Sequence, residues 1–177
     1  MKINSLRNTH KIVIIPPKNC TESEIKGFYQ MVQKSGEVLI DTAEDGIKNS
    51  QLLAYYYCNG ELAGVAALKY APIGYQNCVF DRAGVPDLAD KYDLEIGYVF
   101  TKRKYRRQGI CKNLIRDLID KSDSNKIFST ARTENRYMVK ILEYLNFKKV
   151  GKPFLGRMVY RGEYFVQLFV FQRNDFE

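Results

Sequence analysis

Arg106-Arg107-Gln108-Gly109-Ile110-Cys111-Lys112 is the segment of this sequence best equipped to handle an anion. Five cations, Lys102, Arg103, Lys104, Arg106 and Arg107, fall within six residues at its start. After Gly109, residues Ile110, Cys111, Leu114, Ile115, Leu118 and Ile119 form one apolar stripe, the pattern of an amphipathic helix opened by the glycine. The first N–H groups of a helix have no partner within it, and the helix dipole adds about half a positive charge there. A basic loop feeding such a helix start is a phosphate site, and glycine leaves room for the backbone to touch a pyrophosphate. The sequence holds no GxxxxGK[ST] and no GxGxxG, which disfavours a P-loop nucleotidase and a dinucleotide fold.

The elements around this loop are legible in outline. Lys11–Ile15 reads as a strand stopped by Pro16-Pro17. Thr21 and Glu24 form a capping-box signature before a helix with Ile25, Phe28 and Val32 on one face. Residues 34–50 are ambiguous, with room for a second short helix. Gln51–Cys58 and Glu61–Lys69 are β-rich runs joined by Asn59-Gly60, a strong hairpin signal. Tyr70–Asp93 reads as irregular, with one helical turn near Asp87–Lys91; a stretch of that length carries function or mobility.

Leu94–Phe100 reads as the strand that feeds the basic loop. Alternation sets Glu95, Gly97 and Val99 on one face, Tyr98 and Phe100 on the other. Lys126–Ala131 is a strand and Asn135–Leu145 a helix with Met138, Ile141, Leu142 and Leu145 inward. Asn146 ends that helix in a left-handed conformation, and strands follow at Phe147–Val150 and Tyr164–Phe171. The expected fold class is α/β: a mixed, mostly antiparallel central sheet of six to seven strands flanked by helices.

Composition sets the frame. The 177 residues fit one domain over 1–177, and the formal charge of +8 favours anionic partners. Four scattered cysteines and the single His10 argue against a zinc site, so no metal is expected. No signal-peptide core and no membrane-length apolar run stand out, which predicts a reduced, cytoplasmic protein without membrane contact.

The loop resembles the central motif of the GNAT superfamily of N-acyltransferases, [QR]-x-x-G-x-[GA] after a strand and opening a helix. Arg106 fills the first slot, Gly109 the glycine slot, and Cys111 replaces the usual Gly or Ala. The family's later helix, N-x-x-[AS]-x-x-x-Y-x-x-x-G-[FY], is similar at Asn135 and Phe147 and departs at Met138, Leu142 and Asn146. The likeness spans roughly Gln51–Phe171.

It implies acetyl-CoA as co-substrate and an amine as acceptor, joined by direct transfer in a ternary complex. It implies that Arg107, Gln108, Gly109, Ile110, Cys111 and Lys112 hold the phosphates, with Arg106 either touching phosphate or bracing the loop. Backbone of Tyr98, Val99 and Phe100 would pair with the pantetheine arm, with Asn135 bonding from the other side and an N–H near Tyr98–Val99 polarising the thioester. Val99 and Phe100 read equally as core, and Asn135 as a helix cap.

An amine with a pKa of about 10.4 must lose a proton before it attacks. Glu95, eleven positions before Arg106, stands where histone-acetylating relatives carry a glutamate. It reads equally as a strand-end carboxylate paired with a local lysine. The family's acid is a tyrosine; its slot holds Leu142, and Tyr144 is turned away, leaving water, Tyr98, Tyr137 or Tyr75. Tyr75, Asp81 and Arg82 are candidate acceptor contacts. Cys111 lies in the apolar stripe, which points to packing rather than a nucleophile. Two rival readings remain: a nucleic-acid-binding module built on the basic run, and a regulatory coenzyme A-binding fold without catalysis. Acceptor identity, acyl length and oligomeric state are not encoded in these motifs.

Overall fold

The computed structural model describes residues 9–36, 40–156 and 162–173. The sequence-predicted elements form in order: β1 (His10–Ile15), α1 (Glu22–Gln33), α2 (Ile40–Lys48), β2 (Ser50–Cys58) and β3 (Glu61–Tyr70). The leader reading falls on residues 1–8 and part of the ambiguous stretch on 37–39, both outside the described residues. The capping box closes at both ends: Glu24 N–H donates to Thr21 Oγ1 at 3.2 Å, and Thr21 N–H to Glu24 Oε2 at 2.7 Å. Asn59 and Gly60 turn the β2–β3 hairpin with φ of 50° and 79°, the left-handed pair whose twist matches the strands.

Tyr70–Asp93 differs from the reading as an irregular stretch. It contains α3 (Ile73–Ala83), followed by a 3-10 run at Pro86–Lys91 where the single helical turn was expected. Gln76, Val79, Phe80 and Ala83 are its buried residues, spaced as one helical face. Pro72 precedes the first turn, and Gly84 at φ 78° ends the helix.

Then come β4 (Leu94–Thr101), α4 (Ile110–Lys121), β5 (Lys126–Arg132), α5 (Arg136–Tyr144), β6 (Lys148–Leu155) and β7 (Phe165–Gln172). Asn146 takes φ 65° after α5 as its type predicts. The seven strands form one sheet in the order β1-β2-β3-β4-β5-β7-β6, antiparallel throughout except for β4 beside β5. Among the described residues no helix is long and apolar enough to cross a membrane.

Helices cover both faces. α4 and α5 share a core with Ile96, Ile127, Phe147 and Phe169. On the opposite face α1 packs over Leu53, Tyr55, Val65 and Ala67, and α3 packs over Phe128, Leu168 and Val170. Glu95 is register partner to Phe128 in the parallel pair and so lies on this second face, at the seam between the two clusters.

The sheet is forked. β4 and β5 pair only from Leu94 to Ile96 against Ile127 to Ser129. At the last pair the buried Ser129 hydroxyl donates to Ile96 O at 3.0 Å. Just beyond, β4 is bulged: Gly97 pairs with Ala67 and Phe100 with Val65, so β4 spends one more residue than β3 over the same span. Tyr98 absorbs the extra residue at φ 51°.

The bulge overturns the simple alternation. Tyr98 packs with Phe100 among the α1-side residues and over Lys69, on Glu95's face, while Val99 joins Ile96's core on the other.

Leu142 is fully buried in the α4–α5 core. Leu142→Ala is expected to lower folding stability by about 2–5 kcal/mol, read from the denaturant midpoint.

Candidate functional site

The basic loop is held from behind before it presents anything in front. Glu61, at the start of β3, accepts from Lys102 Nζ at 2.9 Å, Lys104 Nζ at 2.6 Å and the Tyr105 hydroxyl at 2.8 Å. The hydrogen bonds from Lys104, Lys102 and Tyr105 hold its carboxyl far below the usual carboxylate range, at about 2. Arg106 Nε donates to Thr101 O at 3.1 Å, with the guanidinium 5.9 Å from the Phe100 ring centre. Of the two sequence readings for Arg106, this geometry is the brace.

The front of the loop is backbone. Arg107 and Gly109 both take left-handed conformations, φ 63° and 77°, and Gly109 caps α4. The first bond back into the cap runs from Asn113 N–H to Gly109 O, so the amides of Ile110, Cys111 and Lys112 point out ahead of the helix. An added Cβ at Gly109 would meet nothing within 4 Å, which is open space for an anion. Arg107 reaches across to α5, donating to the Tyr137 hydroxyl at 3.3 Å, and Lys112 lies 4.6 Å from the Tyr144 ring centre. Gln108 turns inward to Lys104 O at 3.4 Å.

The open fork adjoins this helix start. The edge of β4 from Tyr98 through Phe100 lies beyond the last β4–β5 pair, so its polar groups are available to an extended ligand laid alongside. Asn135 caps α5, its Oδ1 accepting from Met138 N–H at 3.2 Å, which leaves its side-chain NH₂ to donate. The helix-cap reading of Asn135 and a ligand contact are therefore compatible.

Glu95 is 3% exposed and, as one of its two sequence readings had it, is paired with a lysine, though one across the sheet rather than close in sequence. Its Oε1 accepts from the Tyr75 hydroxyl at 3.0 Å, and its Oε2 lies 2.7 Å from Lys69 Nζ. Lys69 is Glu95's register partner on β3. Its side chain crosses β4 over Gly97, where a Cβ would come within 2.7 Å of Lys69 Cε. Its ammonium stands 5.2 Å from the Tyr75 ring centre and 4.9 Å from that of Tyr98.

Burial works to lower the Lys69 ammonium, but the charge and hydrogen bond of Glu95 outweigh it and hold the group above the ordinary lysine range. Burial, then the Glu95 charge, pushes the Tyr75 phenol well above its usual range. Burial also raises Tyr98, partly offset by Lys69. The Tyr98 hydroxyl lies against Gly46 of α2, where any side chain would collide with it.

Of the three acceptor candidates, only Tyr75 reaches Glu95. Arg82, two turns further along α3, stacks 5.0 Å from Phe154 and donates to Leu155 O, tying α3 to β6. Asp81 is exposed beside it. Lys69 was missed because nothing in a strand's sequence fixes its register across the 23-residue connection to the next strand. Among the described residues no group of three or more His, Cys, Asp or Glu side chains is arranged around a metal position.

A strand fork beside a bare helix start places an open strand edge next to outward-pointing amides. The family model for the acetyltransferase (GNAT) family matches residues 21–147, and the chain belongs to that family. The solved structure of NAA60 from Arabidopsis thaliana in complex with acetyl-CoA is similar at TM-score 0.66 and 16% identity, covering 93% of this chain and 99% of that one. The ribosomal-protein-S18-alanine N-acetyltransferase of Escherichia coli is similar at TM-score 0.66 and 14% identity, covering 96% and 99%. An N-acetyltransferase from Staphylococcus aureus Mu50 is similar at 0.65 and 12%, covering 93% and 97%. A search of curated proteins by sequence returned no match.

Two outcomes follow from this geometry. Gly109→Val forces a β-branched residue into a left-handed conformation and fills the open cradle. It is expected to weaken coenzyme A binding at least about 100-fold by calorimetry, the cost of roughly two lost charge-assisted bonds, with the far-UV spectrum retained. Burial pushes the Cys111 thiol up to about 12, so it stays protonated at pH 8. Iodoacetamide at that pH should leave Cys111 unlabelled and modify the exposed Cys78.

Proposed function

We propose that this protein is an N-acetyltransferase that transfers an acetyl group from acetyl-CoA directly to an amine within a ternary complex. The observation that carries this reading is a buried carboxylate, Glu95, at the fork where β4 parts from β5 beside a bare helix start. The outward amides of Ile110, Cys111 and Lys112, with Arg107 and Gln108 around them and Gly109 leaving space, suit a diphosphate. The open edge at Tyr98, Val99 and Phe100 suits the amide-bearing pantetheine arm, met from the far side by the Asn135 NH₂. Bound there, acetyl-CoA supplies an acyl group activated as a thioester.

The protein's own groups do the rest. Glu95 takes the proton that the acceptor amine must lose. A backbone N–H at the Tyr98–Val99 bulge donates to the carbonyl oxygen where negative charge develops. Tyr75, bonded to Glu95, is the tyrosine best set to return a proton to the leaving sulfur, because Leu142 is sealed in the core. Tyr75 also lines the acceptor side, while Arg82 secures α3 and Asp81 faces solvent. We place the protein in the cytoplasm, a reading supported by the free thiols of Cys20, Cys58, Cys78 and Cys111.

The nucleic-acid reading is less well supported. Lys102 and Lys104 are already held by Glu61, which breaks the basic run as a continuous stripe. Glu95→Gln is expected to lower turnover at least about 100-fold in a thiol-release assay over a panel of amines, with acetyl-CoA affinity within about twofold by calorimetry. Undiminished turnover would remove Glu95 from the mechanism. Tyr75→Phe should cost about 10-fold or more in turnover with the same unchanged affinity.

A further inference from the structure

Lys69 holds an amine against the carboxylate that the proposed function makes the base. Its Nζ is 2.7 Å from Glu95 Oε2, lies over the side-chain-free Gly97 next to the bulge, and is flanked by the rings of Tyr75 and Tyr98. Its side chain is 15% exposed, so bulk reagent reaches it poorly while anything bound along β4 is its neighbour.

We propose that Lys69 is a self-acetylation site: without an external acceptor, its Nζ receives the acetyl group with Glu95 as base. This rests on the transferase reading above. The step balances as follows. The Lys69 ammonium gives one proton to Glu95 Oε2, and the neutral Nζ forms a bond to the acetyl carbon as the carbon–sulfur bond breaks. The electron pair leaves with sulfur, which takes up a proton through Tyr75; Glu95 replaces that proton with the one it took from Lys69, so the thiol is free and Glu95 is again a carboxylate. The second proton lost from nitrogen passes to solvent, leaving a neutral N-acetyl-lysine.

The product has a physical consequence. Acetylation removes the positive charge that neutralises Glu95, leaving a buried carboxylate with the Tyr75 hydroxyl as its remaining partner. The acceptor site then carries a net negative charge and favours a cationic amine. Lys69 thus balances the charge of the site, and its modification leaves the site net negative.

The test is peptide mass mapping of the full chain after incubation with acetyl-CoA and no amine. The expected result is a single acetyl group on Lys69, with the exposed Lys48 and Lys104 far less modified. Glu95→Gln should slow the modification at least about 100-fold, and Lys69→Arg, which keeps the charge, should abolish the mass increment. Acetylation spread over exposed lysines and absent from Lys69, or Lys69 modification at an undiminished rate in Glu95→Gln, overturns the proposal. Calorimetry and amine turnover on the same sample separate the two claims. Acetyl-CoA uptake and amine turnover with Lys69 unmodified sink self-acetylation alone; no uptake sinks both.

Discussion

One extra residue in β4 makes this site. With Gly97 and Tyr98 bulged against β3, β4 cannot stay in step with β5, and the parallel pair opens after three residues. An open strand edge presents unpaired N–H and C=O groups, and on the function proposed here an extended ligand completes the fork. The same residue turns Tyr98 onto the Glu95 face, beside the Lys69 side chain that crosses Gly97. The open edge of β4 and the placing of Tyr98 therefore share one cause, and the Lys69–Glu95 pair sits in the regular register just before it.

Electrostatics divide the labour. The net charge of +8 is not spread over the phosphate end. Glu61 holds Lys102 and Lys104 and Arg106 braces Thr101, so the function proposed here leaves the anion to backbone amides and Arg107. Charge fixed to scaffold positions the loop; neutral donors with fixed directions face the ligand. At the other end of the cleft, Glu95 and Lys69 form a buried pair whose separation would strand an uncompensated charge. That cost explains why Tyr75 and Tyr98 close around both groups instead of leaving them to water.

Much of this was legible in the residues. The Thr21–Glu24 box, the Asn59-Gly60 turn, the Gly109 helix start and the left-handed Asn146 each depend on neighbours within a few positions, and each formed as its residue types require. α3 was hidden because Pro72, Gly74, Asn77 and Gly84 give its segment the composition of a loop, and its buried face includes the polar Gln76. The bulge was hidden for a deeper reason. No residue type demands it, since Tyr98 sits at a φ its side chain disfavours, and only the register between β3 and β4 imposes it. Lys69 depends on that same register, so a long-range pairing governs what local pattern could not reveal.

The most direct measurement is amide hydrogen exchange along the chain, with and without coenzyme A. Slowed exchange in two separate stretches, Tyr98–Thr101 on the open edge and Arg107–Lys112 at the helix start, with the hairpin at Asn59-Gly60 unchanged, is the predicted result. Protection at only one of the two stretches, or at neither, would contradict a single cleft made by the fork and the bare helix start together.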